Sequence, residues 1–587
     1  MNIKSKFTIL IALFLGLFFV KGQTLDSLSF RLEQDSTTID ISNLAAINKN
    51  LFWKQHVMSN VGGGVIDLSY NVSLVDNNLK SSVYNAYLER KNKIVYNNNY
   101  KFSQIDYKTT IQEGQYISAL HSQAYKNFSF GIFYQKQISE GHFFNDIKDH
   151  VNTKLEFNYH PKDKPYSSSL QFLYRKSTVF ENGGFVYDSL YLDQTLDGND
   201  VIETQLRSAK NTLRNTDFKW VNALDFHVLD SLKIKLTSET SLNKTSEFYQ
   251  DSPLQFSNTG TQPSIVYYPN VFRDSTATSD SIAYTNIKQS FSLETQYKGF
   301  TIKPFANIEF ANYNLGFGQQ SLTKVEFGSY VSGFRNKFQA YAKLLEQTNL
   351  ETGLELKAEI KLAKKLIITG LYADRAPELL FQKYQSNHFN WDNAFSRENH
   401  MRLEASYQLL KHTKISGFYH KIKDFVYLNE NINPIQDQNS NDIKGIELES
   451  IIRKGNWTFA NQYLVQSTTG TALQKPTFIG RLKIAYQRKM LGEALVQPGI
   501  QINYASKYFA PKYMSSINQT YLQTETKIGG APKIDVFVNM KVSNFTIYGI
   551  FTNVLESAIR EEMFVSPHIV GLNQRFNFGI RWNFYDH

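Results

Sequence analysis

The chain has 587 residues, of which 20% are charged and 14% aromatic, with 44 Phe, 35 Tyr and no cysteine. The lack of cysteine excludes a disulfide framework and an acylated cysteine anchor. The formal charge of +10 carries information about binding partners but not about the fold. Because the chain has no compact basic motif, this charge does not indicate nucleic-acid binding.

The N-terminus has the pattern of a secretory signal peptide. Lys4 and Lys6 precede an apolar run from Phe7 to Val20, and a polar sequence follows Gly22. A membrane anchor is the alternative, but the run is shorter than the ~20 residues that a spanning helix needs. We therefore predict a signal peptide at residues 1–22, whose removal with Lys4, Lys6 and Lys21 lowers the formal charge by three, from +10 to +7.

Residues 23–50 are rich in Ser, Thr, Asp and Asn and show little periodicity. This composition predicts a polar periplasmic segment or a small pore insert, and disorder remains an equal alternative. Strand-like alternation is established by about Ile105, and we assign residues 51–587 to a transmembrane β-barrel.

From there the chain alternates between apolar and polar residues in segments of about ten, separated by turn-forming residues. A mean hydropathy of -0.38 fits such strands, because half of each strand is polar. Clear examples are Phe128 to Tyr134, Leu155 to Tyr159, Leu170 to Tyr174, Leu232 to Leu236, Leu354 to Ile360, Leu482 to Tyr486 and Ile534 to Met540.

Three long polar stretches interrupt the alternation: Asp188 to Asn211, Asp251 to Ser281 and Arg375 to Asn399. We interpret them as extended external loops, which carry recognition in such barrels. The first contains Asp193, Asp197, Asn199 and Asp200, which could hold calcium, but ordinary turn chemistry is favoured because the spacing is not that of an EF-hand.

The last strand has the strongest alternation. Five apolar residues share one face, with Asn577, Gly579, Arg581 and Asn583 opposite. The predicted lipid-facing belt consists of Phe576, Phe578, Ile580, Trp582 and Phe584. With the signal peptide, this strand predicts an all-β fold: one large antiparallel barrel in the cell outer membrane, with an even number of strands, roughly 18 to 22, short periplasmic turns and long extracellular loops.

The polar faces of the strands supply candidate pore-lining residues, whose charges would set ion preference. They are Lys233, Lys235, Glu355, Lys357, Arg481, Lys483, Asp535 and Arg581.

A resemblance appears in the C-terminal quarter, in Tyr521 to Lys541, Phe545 to Val554 and Phe576 to Phe584. Upstream, Ser59-Asn-Val-Gly62, Glu113-Gly-Gln-Tyr116, Glu181-Asn-Gly-Gly184 and Tyr384 to Asn393 occur in the matching order. Together these segments resemble the "putative porin" family of Bacteroidota outer membranes. The resemblance implies an outer-membrane barrel that acts as a channel, and it carries over no catalytic or ligand residue. The polar ending Tyr585-Asp586-His587 departs from the terminal Phe of many proteobacterial barrels but is ordinary in this family.

We expect a porin-like channel for passive or gated diffusion of small hydrophilic solutes. The alternative is a non-conducting barrel whose loops bind or assemble surface machinery. A TonB-type plug is not expected, because the sequence before the first strand lacks the length and Gly-rich pattern of such a domain. No nucleophile elbow, zinc helix or phosphate loop occurs, so we predict no enzyme activity, cofactor or metal.

The partners expected from the sequence are outer-membrane lipid and lipopolysaccharide, the barrel-assembly machinery and small solutes, but not nucleic acid. A homo-oligomer is left open, because its interface would resemble a lipid-facing belt.

Overall fold

The alternating segments form one closed antiparallel sheet. The computed structural model describes residues 53–70, 82–84, 101–110, 114–193, 202–229, 232–252, 267–334, 337–347, 350–362, 365–490, 492 and 494–586. The predicted signal peptide, the 23–50 segment and most of the alternative calcium loop lie outside these residues.

The sheet has 22 strands, each paired with the next in the chain, which confirms the predicted fold class at the upper end of the expected strand count. The strands are β1 (Lys101–Thr110), β2 (Gly114–Tyr125), β3 (Phe128–Ser139), β4 (Lys148–Tyr159), β5 (Tyr166–Phe180), β6 (Lys210–Leu229), β7 (Leu232–Asp251), β8 (Thr278–Tyr297), β9 (Phe300–Leu315), β10 (Gly318–Gly333), β11 (Phe338–Gln347), β12 (Leu350–Leu362), β13 (Leu366–Arg375), β14 (Glu398–Leu410), β15 (Thr413–Lys423), β16 (Asn441–Lys454), β17 (Trp457–Thr468), β18 (Phe478–Tyr486), β19 (Ala494–Ala505), β20 (Lys533–Val542), β21 (Phe545–Thr552) and β22 (Arg575–Asp586). A short piece, Arg488–Met490, continues β18 along β19.

The barrel closes where β22 pairs with β1. The seam runs from Lys101 opposite Asp586 to Thr110 opposite Asn577. On its inner side, Arg581 Nη2 lies 2.7 Å from Asp106 Oδ2, and the Tyr548 hydroxyl donates to Asp106 Oδ1 over 2.6 Å. Closure leaves no unpaired strand edge, which is the condition for a sheet to stand in lipid.

The two faces of the sheet differ as the alternation predicts. In β22, Phe576 is 39% exposed and Trp582 48%, whereas Asn577 between them is 6% exposed. Large apolar side chains are likewise exposed on the outward face of many strands, for example Phe172, Trp220 and Leu242 in β5 to β7.

The two ends of the barrel also differ. Connections at one end have at most seven residues, and this end also holds the start of β1 and the end of β22. Six connections at the other end have 17 to 29 residues: 181–209, 252–277, 376–397, 424–440, 506–532 and 553–574. The connections 181–209, 252–277 and 376–397 correspond to the three predicted loops. The boundaries differ by a few residues, because the ends of β6, β7, β8, β13 and β14 extend into the predicted loops.

The long connections have secondary structure of their own. They contain helices α1 (Asp188–Asp193) and α2 (Leu379–Gln382) and the 3₁₀ turns Glu556–Ala558 and Arg560–Met563. Their two-stranded pieces are Lys383–Gln385 with Asn390–Asp392, Phe425–Leu428 with Pro434–Asp437, Tyr508–Phe509 with Lys527–Ile528, Lys512–Met514 with Gln519–Tyr521, and Phe564–Ser566 with Ile569–Val570. None of the described helices is long and apolar enough to cross a membrane.

Apolar residues of five long connections pack into one buried group, which we call the cap cluster. Its members from these connections are Leu206, Ala209, Tyr268, Leu379, Leu380, Phe381, Tyr384, Phe389, Trp391, Val426, Leu428, Ile432, Met514 and Ile517. The Trp391 indole donates to the Leu380 carbonyl over 2.7 Å. The described parts of the long connections therefore form a packed cap at one end of the barrel.

Glycine at 579 provides room at the seam. A Cβ at this position would lie within 2.3 Å of the Tyr548 ring, whereas one at Gly370 in β13 would meet nothing within 4 Å. We predict that Gly579→Ala lowers the free energy of unfolding by about 1–3 kcal/mol, because overpacking forces Tyr548 away from Asp106. Urea unfolding in detergent measures this, with Gly370→Ala as the matched control. Equal stability of the two variants would contradict this account of the seam.

Candidate functional site

A segment that precedes the first strand lies inside the barrel. This luminal segment comprises residues 53–70 and 82–84, with a small hairpin of Gln55–Val57 and Val65–Asp67. On one side, the Gly62 carbonyl is 2.8 Å from His150 Nε2 in β4. On the other side, Lys54 Nζ lies 2.6 Å from Glu447 Oε2 in β16. Since β4 and β16 are on nearly opposite walls, the luminal segment crosses the lumen.

The contact with β4 requires a tight turn. Gly62 has φ +91°, and a Cβ there would lie 2.7 Å from His150 Nε2, while one at Gly63 would lie 1.9 Å from the Met58 carbonyl oxygen. Asn60 Oδ1 accepts a 2.7 Å hydrogen bond from Ser139 Oγ in β3. The family-like segment Ser59 to Gly62 is thus the part of the chain that fits against this wall.

Further bonds hold the far end of the luminal segment. Gln466 Nε2 in β17 donates to the Leu68 carbonyl over 2.8 Å, and Lys475 Nζ donates to the Asp67 carbonyl over 2.6 Å. Tyr70 packs edge-on against Phe425, with ring centroids 6.1 Å apart. The segment therefore contacts both the wall and the long connections.

Glu181, the first residue after β5, is the centre of a buried polar group that we call the Glu181 anchor. Its Oε1 accepts hydrogen bonds from the hydroxyls of Tyr84 and Tyr513, both 2.9 Å, and from Asn211 Nδ2 at 3.3 Å. Burial raises the pKa of Glu181, and the positive charge of Lys148 opposes that shift. The anchor joins the luminal segment, the barrel wall and connection 506–532.

A cavity of about 490 Å³ remains between the luminal segment, strands β11 to β14 and the long connections. Its ionisable lining residues are Asp67, Lys343, Glu355, Asp374, Arg375, Glu378, Glu398, His400 and Lys475, and its aromatic ones are Tyr70, Phe381, Phe425, Tyr427, Phe509 and Tyr521. Charged groups of both signs with aromatic faces suit a small polar solute.

The wall beside this cavity has a network of paired charges. Lys343 Nζ in β11 lies 3.1 Å from Glu326 Oε1 and 3.4 Å from Glu355 Oε2, and Lys288 Nζ lies 2.9 Å from Glu326 Oε2. Buried charges need such partners. The pairing keeps these side chains against the inner wall of β8 to β12.

All eight predicted pore-lining residues lie on the inner faces of their strands, but most have partners there. Glu355 and Arg581 are ion-paired as described, and Lys235 Nζ lies 3.8 Å from Asp225 Oδ1. In β18, Arg481 Nε donates to Asn503 over 3.2 Å, and Lys483 Nζ lies 5.0 Å from the centre of the Phe537 ring. Asp535 in β20 accepts a 3.0 Å hydrogen bond from the Asn553 backbone. Lys233 and Lys357 lie two positions along their strands from Lys235 and Glu355.

These eight residues do not form one ring. Glu355 lines the cavity, whereas the other seven are not among its lining residues. Conduction past them remains a prediction, as does contact of lipid with the outward residues Phe576, Phe578, Ile580, Trp582 and Phe584.

The luminal segment is the element of the site that the sequence did not predict, since residues 51–100 were assigned to the barrel without a separate role. The run Gly62-Gly63-Gly64 was the available signal, because consecutive glycines mark close backbone approach. The segment is much shorter than a TonB-type plug domain. In the described part of the chain, no three His, Asp or Glu side chains group so as to hold a metal.

Comparison with known proteins agrees with this architecture. A family model described as "Putative porin" matches residues 20–586. Curated protein sequences give no match.

Similar solved structures include the ferric preacinetobactin receptor BauA of Acinetobacter baumannii, with 12% identity, a TM-score of 0.53, and coverage of 82% of this chain and 80% of that one. The FrpB iron transporter of Neisseria meningitidis is 10% identical, with a TM-score of 0.57 and coverage of 83% of this chain and 83% of that one. The ferric-catecholate import receptor Fiu of E. coli is 11% identical, with a TM-score of 0.54 and coverage of 84% of this chain and 82% of that one. At these identities the likeness concerns the fold alone.

We predict that Glu181→Ala loosens the luminal segment, because the hydroxyls of Tyr84 and Tyr513 lose a buried acceptor at a cost of about 1–3 kcal/mol. Hydrogen exchange followed by mass spectrometry should show roughly tenfold faster exchange for peptides covering residues 53–84. Glu203→Ala is the control, since Glu203 belongs to the same connection but only pairs with exposed Arg207. Unchanged exchange in Glu181→Ala would exclude the anchor role.

Proposed function

The chain belongs to the "putative porin" family, and we propose that it is a gated outer-membrane channel for small hydrophilic solutes. The family and the barrel fold support transport across the outer membrane. One observation supports gating over a permanently open pore: the luminal segment crosses the lumen and contacts opposite walls.

The inner surface suits a hydrophilic path. Outward positions are mainly apolar away from the ends of the strands, whereas inward positions carry Lys, Arg, Asp, Glu, Ser and Asn. A lumen of this kind favours hydrated solutes and gives little surface to apolar ones. The paired acids and bases at β8 to β12 present both signs of charge and do not indicate a strongly charged solute.

The attachment of the luminal segment suits a movable gate. Its described polar contacts with the wall are a few hydrogen bonds and an ion pair, each worth about 0.5–1.5 kcal/mol net, and water that enters the lumen could replace them. Its apolar residues Met58 and Ile66 also share a buried cluster with Val179 and Leu213 of the wall, and opening must separate this contact. Displacement of a residue 53–70 segment would therefore open a path without disturbing the closed sheet.

The cap cluster favours a second candidate, the non-conducting barrel that presents its long connections to a binding partner. Five connections packed around a shared apolar core form a surface whose shape is held in place. Conductance separates the two candidates, because only a channel passes ions.

To test gating, we would tie the luminal segment to the cap. The Ser59 N–H donates to the Val570 carbonyl over 2.7 Å, and such a contact brings two backbones near the spacing that a disulfide spans. Because the chain has no cysteine, Ser59→Cys with Val570→Cys would create its only disulfide. We predict discrete conductance steps for the unmodified protein in a planar bilayer, few steps for the oxidised variant, and recovery after reduction.

The Ser59→Cys variant alone is the control. Equal conductance of the oxidised and reduced double variant would exclude this segment as the gate. A protein shown to be folded by heat-modifiable gel migration, yet silent in the bilayer, would favour the non-conducting candidate.

Ion preference tests the inner face. We predict that Arg481→Glu with Lys483→Glu shifts the reversal potential under a salt gradient toward cation preference, because two inner charges change sign. The control is Lys176→Glu with Lys244→Glu, the same charge change on the outward face of β5 and β7. A reversal potential that does not move would show that β18 is not on the conducting path.

A further inference from the structure

The outward face carries a dense group of positive charges near the long connections. This basic patch consists of Lys136, Lys176, Lys210, Arg214 and Lys244, on β3, β5, β6 and β7. Lys176 is directly opposite Arg214 across the β5–β6 pair, and Lys210 is opposite Phe180, with its Nζ 5.2 Å from the centre of that ring. These residues are on the side of the sheet facing away from the lumen.

The positive charge of the patch is hardly balanced. Asp149 of β4 is its acidic neighbour, with Oδ2 3.5 Å from Lys136 Nζ. The described outward positions of β5, β6 and β7 include no acid, because all acidic residues of these strands are at inward positions; the two nearest the long connections, Glu247 and Asp251, are buried. Lys176, Lys210, Arg214 and Lys244 have no ion pair with any described residue.

The patch encloses a groove of about 350 Å³ in which charge and hydroxyl groups alternate. Its lining residues are Lys176, Thr178, Lys210, Thr212, Arg214, Ser246, Phe248 and Gln250. Two ammonium groups, one guanidinium and three hydroxyls around a shallow groove match the acceptor oxygens of a phosphate ester.

The position of the patch along the barrel axis indicates which molecule would supply that phosphate. Phe172, Phe218 and Leu242 form one cross-strand row in the apolar part of the outward face. Lys176 and Arg214 lie four positions farther along their strands, which is about 13 Å of strand and roughly 10 Å along the barrel axis at a usual tilt. On β6 and β7 this row holds the last large apolar outward residues before Arg214 and Lys244, so the patch lies at the edge of the apolar band, at headgroup level.

We propose that the basic patch is a binding site for the phosphate groups of a glycolipid in the outer leaflet, with the apolar row of Phe172, Phe218 and Leu242 below it against the acyl chains. This inference rests on the proposed outer-membrane placement, with the long connections outside, but not on conduction. The bases would otherwise lie unpaired at the edge of an apolar band, and phosphate supplies the missing negative charge.

The test uses the full protein, purified in detergent and titrated with diphosphoryl lipid A by native mass spectrometry. We expect Lys176→Gln, Lys210→Gln and Arg214→Gln together to weaken lipid A binding by at least about tenfold. The control replaces exposed Lys126, Lys298 and Lys454 at the short-turn end with Gln, which removes the same charge and should change binding less than about twofold.

Two further measurements identify the ligand chemistry. Dephosphorylated lipid A should bind the unmodified protein as weakly as lipid A binds the triple variant, and millimolar inorganic phosphate should not displace lipid A. Equal binding of the triple variant and the unmodified protein, or of lipid A with and without phosphate, would overturn the proposal. Displacement by inorganic phosphate would also overturn it, in favour of a simple anion site. Bilayer conductance of the triple variant should stay unchanged, which separates failure of this proposal from failure of the channel.

Discussion

Closure of the sheet between β1 and β22 is the constraint on which the remaining structure depends. The first and last strands of the sheet are joined by ten paired positions, from Lys101 to Thr110 in β1. On the inner side of this seam, Asp106 is bonded to Arg581 and Tyr548. A closed sheet has no strand edge and separates its interior from its outward face. Only because the interior is separate can it contain ion pairs, a crossing segment and a polar cavity.

Much of the fold could be predicted from the sequence, because strand alternation is a local property. Phe576 to Phe584 show their two faces within nine residues, and the same period of two places Lys233, Arg481 and Asp535 on the inner side without knowledge of any neighbour. The strand number was less certain, since short turns such as 126–127 and 411–412 carry weak signals. Three long connections, 424–440, 506–532 and 553–574, were missed because their short paired pieces alternate like strands of the wall.

The contents of the lumen could not be predicted in the same way, because they depend on contacts between distant residues. Gly62 meets His150 across 88 positions and Lys54 meets Glu447 across 393. Neither residue of either pair has a periodic pattern that points to the other. Likewise, Leu380 and Trp391 occur in a stretch rich in turn formers, where isolated apolar residues have no period that indicates burial. Their burial follows from the convergence of five connections at one end of the barrel.

The luminal segment precedes β1 in the chain, yet it is enclosed by a wall that only the final strand completes. The ends of the sheet must therefore meet around a segment that is already inside, or the segment must later pass through an opening in a finished cylinder. Docking against β4 alone is available before the last strands are in place, since the Gly62–His150 contact involves no residue after β4. The topology thus allows the luminal segment to serve as a template around which the sheet closes.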